Sequence, residues 1–169
     1  DPYNGHDNCG EYAFCRLDSG FETGICVGIC RGFGSAEDSC EDAETIPSVD
    51  CQSCYCICEP QCDPLLQDCL DGWSCMLDYT GGVRCHVGEY EGQVADPCAS
   101  SWSCGPGNAC FPTEELPPGA CDPESSGCCT AFCDLTNDEC ETLFPGTSCQ
   151  PALNDPAASL SHVGVCLAL

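Results

Sequence analysis

Cysteine recurs along this chain at a spacing that leaves few folds open. Cys62, Cys69, Cys75 and Cys85 stand in the order C-x6-C-x5-C-x9-C. Cys98, Cys104, Cys110 and Cys121 repeat that order with nearly the same gaps, and Cys133, Cys140, Cys149 and Cys166 repeat it with wider ones. Near the start, Cys9, Cys15 and Cys26 match either the first three or the last three positions, and Cys30 completes a set of four. The repeats divide the chain into a first disulfide unit (1–30), a Cys-rich insert (31–61), and three further disulfide units (62–95, 96–132 and 133–169). A period this short describes small bodies that contact mainly their neighbours.

The chain has little else to fold with. It carries 23 cysteines in 169 residues and a net charge of −25. Leu, Val, Ile and Phe together make up roughly 17%, where less than about 20% with a large charge ordinarily marks a disordered chain. Ordering a residue costs about 1–2 kcal/mol of backbone entropy, and so small an apolar content cannot offset it. Disulfides at about 2–4 kcal/mol each can. They require an oxidising compartment, so the expected location is secreted, cell-surface or periplasmic. The lack of an initiating Met and of a leader fits a processed chain beginning at Asp1. No apolar run approaches the ~20 residues of a membrane span, so no membrane insertion is expected.

The charge is one-sided. Twenty-eight carboxylates face only Arg16, Arg31 and Arg84, and there is no lysine. Phosphate binding needs cations, so nucleic acid is excluded as a partner. Basic partners or calcium suit such a surface. For calcium, Asp134, Asp138 and Glu139 are the candidate ligands, because hard oxygen donors lie close together around Cys140.

The stretch CQSCYCICEPQC (51–62) raises a second metal reading. Cys51-x2-Cys54 has ligand spacing, and Cys54-x-Cys56-x-Cys58 is metallothionein-like. No second C-x2-C follows at zinc-finger spacing, and no His completes a haem-attachment motif. Disulfides are the better reading among so many half-cystines, with a metal or redox protein using the 51–62 cluster as the alternative.

Regular secondary structure should be sparse. GVRCHVGEY (82–90) and HVGVCLAL (162–169) read as short strands, with Gly81-Gly82 closing a hairpin between Cys75 and Cys85. Gly105-Pro106-Gly107 and Pro117-Pro118-Gly119 read as turns. Helical turns are expected only near SAEDSCEDAE (35–44), with Ser35 as the N-cap.

The stretches NCGEYAFCRLDSGFETGIC (8–26) and CLDGWSCMLDYTGGVRC (69–85) carry this spacing with glycines before the later cysteines. They resemble the first half of an EGF-like module, without the closing C-x-C and final loop. The resemblance implies a small disulfide-rich fold of tandem EGF-like units with short β-hairpins. It also implies first-to-third and second-to-fourth pairing: Cys62–Cys75 with Cys69–Cys85, Cys98–Cys110 with Cys104–Cys121, and Cys133–Cys149 with Cys140–Cys166. CDPLLQDCLDGWSC (62–75), DPC (96–98), GCCTAFCDL (127–135) and VGVCL (163–167) are similar to Cys-rich secreted repeat proteins of myxobacteria and their relatives. That resemblance implies a bacterial exported protein and carries no activity with it. Residues 31–61 lie outside it.

The cysteine total is odd, and the insert holds five. An unpaired cysteine in an exported chain points to an intermolecular bond or a reactive thiol. Cys54 and Cys56 are the candidates, since alternate strand residues point the same way. Cys128 and Cys129 are expected to reach separate partners and so cross-link the third and fourth of the four disulfide units. GCCTAFC lacks the His of a secreted phospholipase, and the C-terminal CLAL cannot be a prenylation box on an exported cysteine. Of possible bases, His6, His86 and His162 sit in no catalytic motif, so no enzyme is expected. Tyr55, Trp73, Tyr79 and Trp102 are candidate contact anchors. These features predict an extracellular structural or adhesive subunit, contacting itself or other surface proteins and able to build a filament or matrix. The other alternative is an accessory subunit docked on an extracytoplasmic enzyme.

Overall fold

A computed structural model describes the strands at 13–16, 25–29, 45–50 and 55–60, and residues 61–168 apart from 79–80, 88–89 and 154–155. The expected helical turns at 35–44 lie outside the described residues, as do Cys9, Cys30, Cys40, Cys51 and Cys54. The chain forms two compact units, Asp1–Pro60 and Gln61–Leu169. Among the described residues the regular structure of each is mainly short strands, and helix is slight.

In the N-terminal unit, β1 (Ala13–Arg16), β2 (Ile25–Ile29), β3 (Thr45–Asp50) and β4 (Tyr55–Pro60) make an antiparallel sheet in the order β1-β2-β4-β3. The segment read as an insert therefore adds two strands to the β1–β2 hairpin. Pro47 lies on β3, an edge strand, where a missing N–H costs no ladder bond on the open side.

The C-terminal unit begins with a hairpin of β5 (Trp73–Leu77) and β6 (Val83–Val87). Gly81 takes a φ of 82° in the turn, a backbone conformation that glycine adopts without penalty. The second sheet has β9 (Gly127–Asp134) at its centre. β8 (Asn108–Pro112) pairs with β9, as do β7 (Pro97–Cys98) at one end and β11 (Val163–Ala168) at the other. β10 (Thr147–Gln150) closes the edge against β11, and a single helical turn, α1 (Cys140–Leu143), precedes it. Both expected proline turns form: Asn108 N–H donates to Gly105 O at 3.1 Å and Ala120 N–H to Pro117 O at 3.0 Å.

One register recurs in the pairs β1–β2, β5–β6, β8–β9 and β10–β11, though not in β3–β4, where Cys56 faces Val49 and Cys58 faces Pro47. Cys15 lies opposite Cys26, Cys75 opposite Cys85, Cys110 opposite Cys129, and Cys149 opposite Cys166. In the C-terminal unit none of these facing pairs is bonded to itself. Each ladder cysteine instead reaches back to a cysteine outside its own ladder. The disulfides thereby tie the preceding loop onto the hairpin, which a chain short of aliphatic residues needs.

The bonds are Cys62–Cys75, Cys69–Cys85, Cys98–Cys110, Cys104–Cys129, Cys121–Cys128, Cys133–Cys149 and Cys140–Cys166. The expected Cys104–Cys121 pairing is corrected. Cys129 holds the ladder position opposite Cys110, so it receives Cys104, and Cys121 sits in the β8–β9 connection and bonds nearby Cys128. Cys128 and Cys129 do reach separate partners, because successive strand residues point to opposite faces. Both partners lie within 96–132, so the expected cross-link to the following segment is also corrected.

Among the described residues no disulfide joins the segments 62–95, 96–132 and 133–169. They are held together by packing instead. One buried cluster draws Cys75, Leu77 and Val83 from the first, Ala109, Leu116 and Phe132 from the second, and Val163, Val165 and Leu167 from the third. β9 runs across the boundary between the last two segments, and the Thr130 hydroxyl, fully buried, donates to Cys166 O at 2.5 Å. At Gly164 a Cβ would stand 2.7 Å from Gln150 O and 2.8 Å from the Cys149 sulfur, so only glycine allows β10 and its disulfide to close on β11.

Candidate functional site

The most elaborated surface feature is the loop from Cys62 to Gly72. Its ends are fixed by Cys62–Cys75 and Cys69–Cys85, whose Cys62, Cys69 and Cys85 sulfurs lie within 4.8 Å of one another. Asp63 is buried and organises the first turn. Its Oδ1 accepts from Leu65 N–H at 2.8 Å, and its carbonyl accepts from Gln67 N–H at 2.8 Å. Its Oδ2 lies 3.3 Å from His162 Nε2. Asp68 Oδ1 accepts from Asp63 N–H at 2.8 Å.

Gln67 then clips the loop to β5. Its side-chain amide donates to Cys75 O at 3.1 Å and to Pro64 O at 2.9 Å, and its Oε1 accepts from Cys75 N–H at 3.0 Å. The side chain thus imitates a paired strand along the edge of β5. Gln67 itself has a φ of 52°, the left-handed region that a non-glycine residue adopts at a cost. Replacing Gln67 with Ala is expected to lower stability by about 1–3 kcal/mol, since the partly buried Cys75 groups lose their partner. Urea unfolding of the two proteins measures this.

The clip decides which leucines face inward. Leu65 packs against the core, whereas Leu66 is 73% and Leu70 63% exposed. Asp68 and Asp71 are exposed beside them. The sequence carried no periodic signal for this division. The only hint was the unusual density of Leu and Asp between Cys62 and Cys75.

The expected calcium ligands are engaged locally. Asp134 Oδ1 accepts from the Thr136 hydroxyl at 2.7 Å and from Thr136 N–H at 2.8 Å. Asp138 Oδ1 accepts from Cys140 N–H at 3.0 Å, and Glu139 Oε1 from Asn137 Nδ2 at 2.9 Å. None of the three joins a cluster of three close donors; among the described residues, those clusters consist of cysteine sulfurs, each engaged in a disulfide.

The Thr136 hydroxyl and then its amide hold the Asp134 carboxyl below the usual value, with a smaller attraction from His162. A depressed carboxyl stabilises the fold above its unfolded pKa and loses that contribution as pH falls through its folded pKa. Asp134→Asn keeps an acceptor and removes the charge. The gap in stability between wild type and this variant is therefore expected to close below about pH 4, as read by urea midpoints across the acid range.

The remaining candidates are dispersed. His86 packs its ring against Trp102, centroids 5.0 Å apart, and Trp102 is 54% exposed. Trp73 is half-buried on β5. His6 and Tyr79 lie outside the described residues, and the side chains of Tyr55 and Cys56 are not described, though Cys56 falls opposite Val49 on β4. Cys166, bonded to Cys140, is no free acceptor for a lipid. Among the described residues no helix is long and apolar enough to cross a membrane.

These features define a small disulfide-rich protein of short strands and hairpins. Comparison with protein-family models, with curated proteins and with solved structures gives no match.

Proposed function

We propose that this chain is an extracellular subunit of a bacterial surface, structural or adhesive, that acts by protein–protein contact and not by catalysis. One observation carries the reading. The seven disulfides use every cysteine from Cys62 to Cys166, so nine of the 23 remain, all within residues 1–60. An odd number cannot all pair among themselves. The N-terminal unit therefore holds at least one cysteine with no partner among these nine, either a reactive thiol or the half-cystine of a covalently joined assembly, and the proposal takes the second.

The common register supports reading these four pairs as tandem copies of one EGF-like half-module. By that register Cys15 corresponds to Cys75, Cys110 and Cys149. Cys54 and Cys56, both in the N-terminal unit, are the candidates for the intermolecular bond. The disulfide density favours a secreted, cell-surface or periplasmic location.

Electrophoresis of the native protein with and without reductant tests the proposal. The expected result is a covalent multimer that collapses to the single chain on reduction. A single chain in both lanes, with one alkylatable thiol, would contradict covalent assembly.

A further inference from the structure

We propose that residues 65–71 form a preorganised docking loop for a basic, amphipathic segment of a different protein. The proposal rests on the contact-protein reading above and names the chemistry of one partner.

Leu66 and Leu70 are the two most exposed large apolar side chains among the described residues. They are not exposed because the loop is loose. Two disulfides, the Asp63 carboxylate and the Gln67 amide fix the backbone on which they stand. Leu65, between Pro64 and Leu66, turns into the core, so the same turn could have hidden its neighbour but displays it. A rigid display lowers the ordering cost of association and so favours binding.

Charge selects the occupant. Asp68 and Asp71 flank the leucines and are exposed. Within the unit Gln61–Leu169 the sole Arg or Lys is Arg84, which is 3% exposed and paired with Asp78. Within that unit the loop's carboxylates therefore meet no exposed guanidinium or ammonium to neutralise them. A second copy of the chain would bring the same negative field against it, and nucleic acid would be repelled more strongly still. A segment with Leu-like side chains on one face and Lys or Arg beside them complements both features.

The probe is a synthetic peptide of about 14 residues with Leu and Lys at helical spacing, compared with an oligolysine of equal charge. Binding to wild type and to the Leu66→Ser/Leu70→Ser variant is measured by fluorescence polarisation, after thermal melts show that both fold alike. The Leu/Lys peptide should lose at least about tenfold in affinity on the variant, because buried apolar anchors dominate such contacts. Oligolysine binding should be unchanged, and Asp68→Asn/Asp71→Asn should weaken both peptides.

Equal Leu/Lys binding by wild type and the leucine variant overturns the docking loop, as does no binding at all. Wild-type self-association that the variant lacks also overturns it, by making a second copy the occupant. These readouts use no intermolecular disulfide, so a covalent multimer with failed peptide binding rejects the docking loop alone.

Discussion

Replacing Cys104 and Cys129 together by serine is expected to destabilise the C-terminal unit by about 3–5 kcal/mol, enough to threaten folding of a domain this dependent on staples. The same change at Cys121 and Cys128 should cost only about 2–3 kcal/mol. Two physical reasons separate them. The first bond closes a loop of sequence separation 25 and the second one of 7, so the first restricts the unfolded chain more. Cys104 and Cys129 are also both fully buried, whereas in the second pair Cys128 is buried and Cys121 partly exposed, so two serine hydroxyls would meet an apolar site in the first case and one in the second. Thermal melts of the two double variants would order them. Equal losses would argue against this pairing, and a larger loss for Cys121 and Cys128 would reverse it.

A loss of similar size is expected for Arg84→Met. Arg84 on β6 forms an ion pair with Asp78, and the two side chains are 3% and 2% exposed. Asp78 also shapes the hairpin turn: its N–H donates to Gly82 O at 2.8 Å and its Oδ1 accepts from Gly82 N–H at 3.2 Å. Removing one member strands a buried charge, at about 3–5 kcal/mol. Converting the partner as well, in Arg84→Met/Asp78→Asn, should recover part of that loss, because the desolvated carboxylate is gone. Urea unfolding of both variants measures the difference. A double variant less stable than the single one would show that the pair matters for more than charge.

Local chemistry was legible in the sequence wherever a few neighbouring residues decide the outcome. Alternating Val83, Cys85 and Val87 gave a strand, and Gly105-Pro106-Gly107 and Pro117-Pro118-Gly119 gave turns that form where expected. The partner of Cys104 was not legible in this way. Counting spacings treats the fourth cysteine of each set as equivalent, but the ladder equates Cys129, and not Cys121, with Cys85 and Cys166. Nothing in residues 104–129 alone reveals that register, because β9 also pairs with β11, more than thirty residues further on.

The candidate site was less legible still. The role of Gln67 depends on a left-handed backbone at a non-glycine residue and on the edge of a strand eight residues away. Neither leaves a pattern in sequence. The acids around Cys140 read from sequence as candidate calcium ligands, and only the hydrogen bonds from Thr136 and Cys140 show what the Asp134 and Asp138 oxygens are engaged in. Leu66 and Leu70 are apolar residues in a chain that has few, and two disulfides and one side-chain clip leave them on the surface.

Non-reducing peptide mapping of the native protein, with free thiols alkylated before digestion, tests the stapled-fold account most directly. Between Cys62 and Cys166 it should recover the seven linked pairs, with Cys104 joined to Cys129 and no alkylated cysteine. A Cys104–Cys121 peptide, or several alkylated thiols in that range, would contradict it.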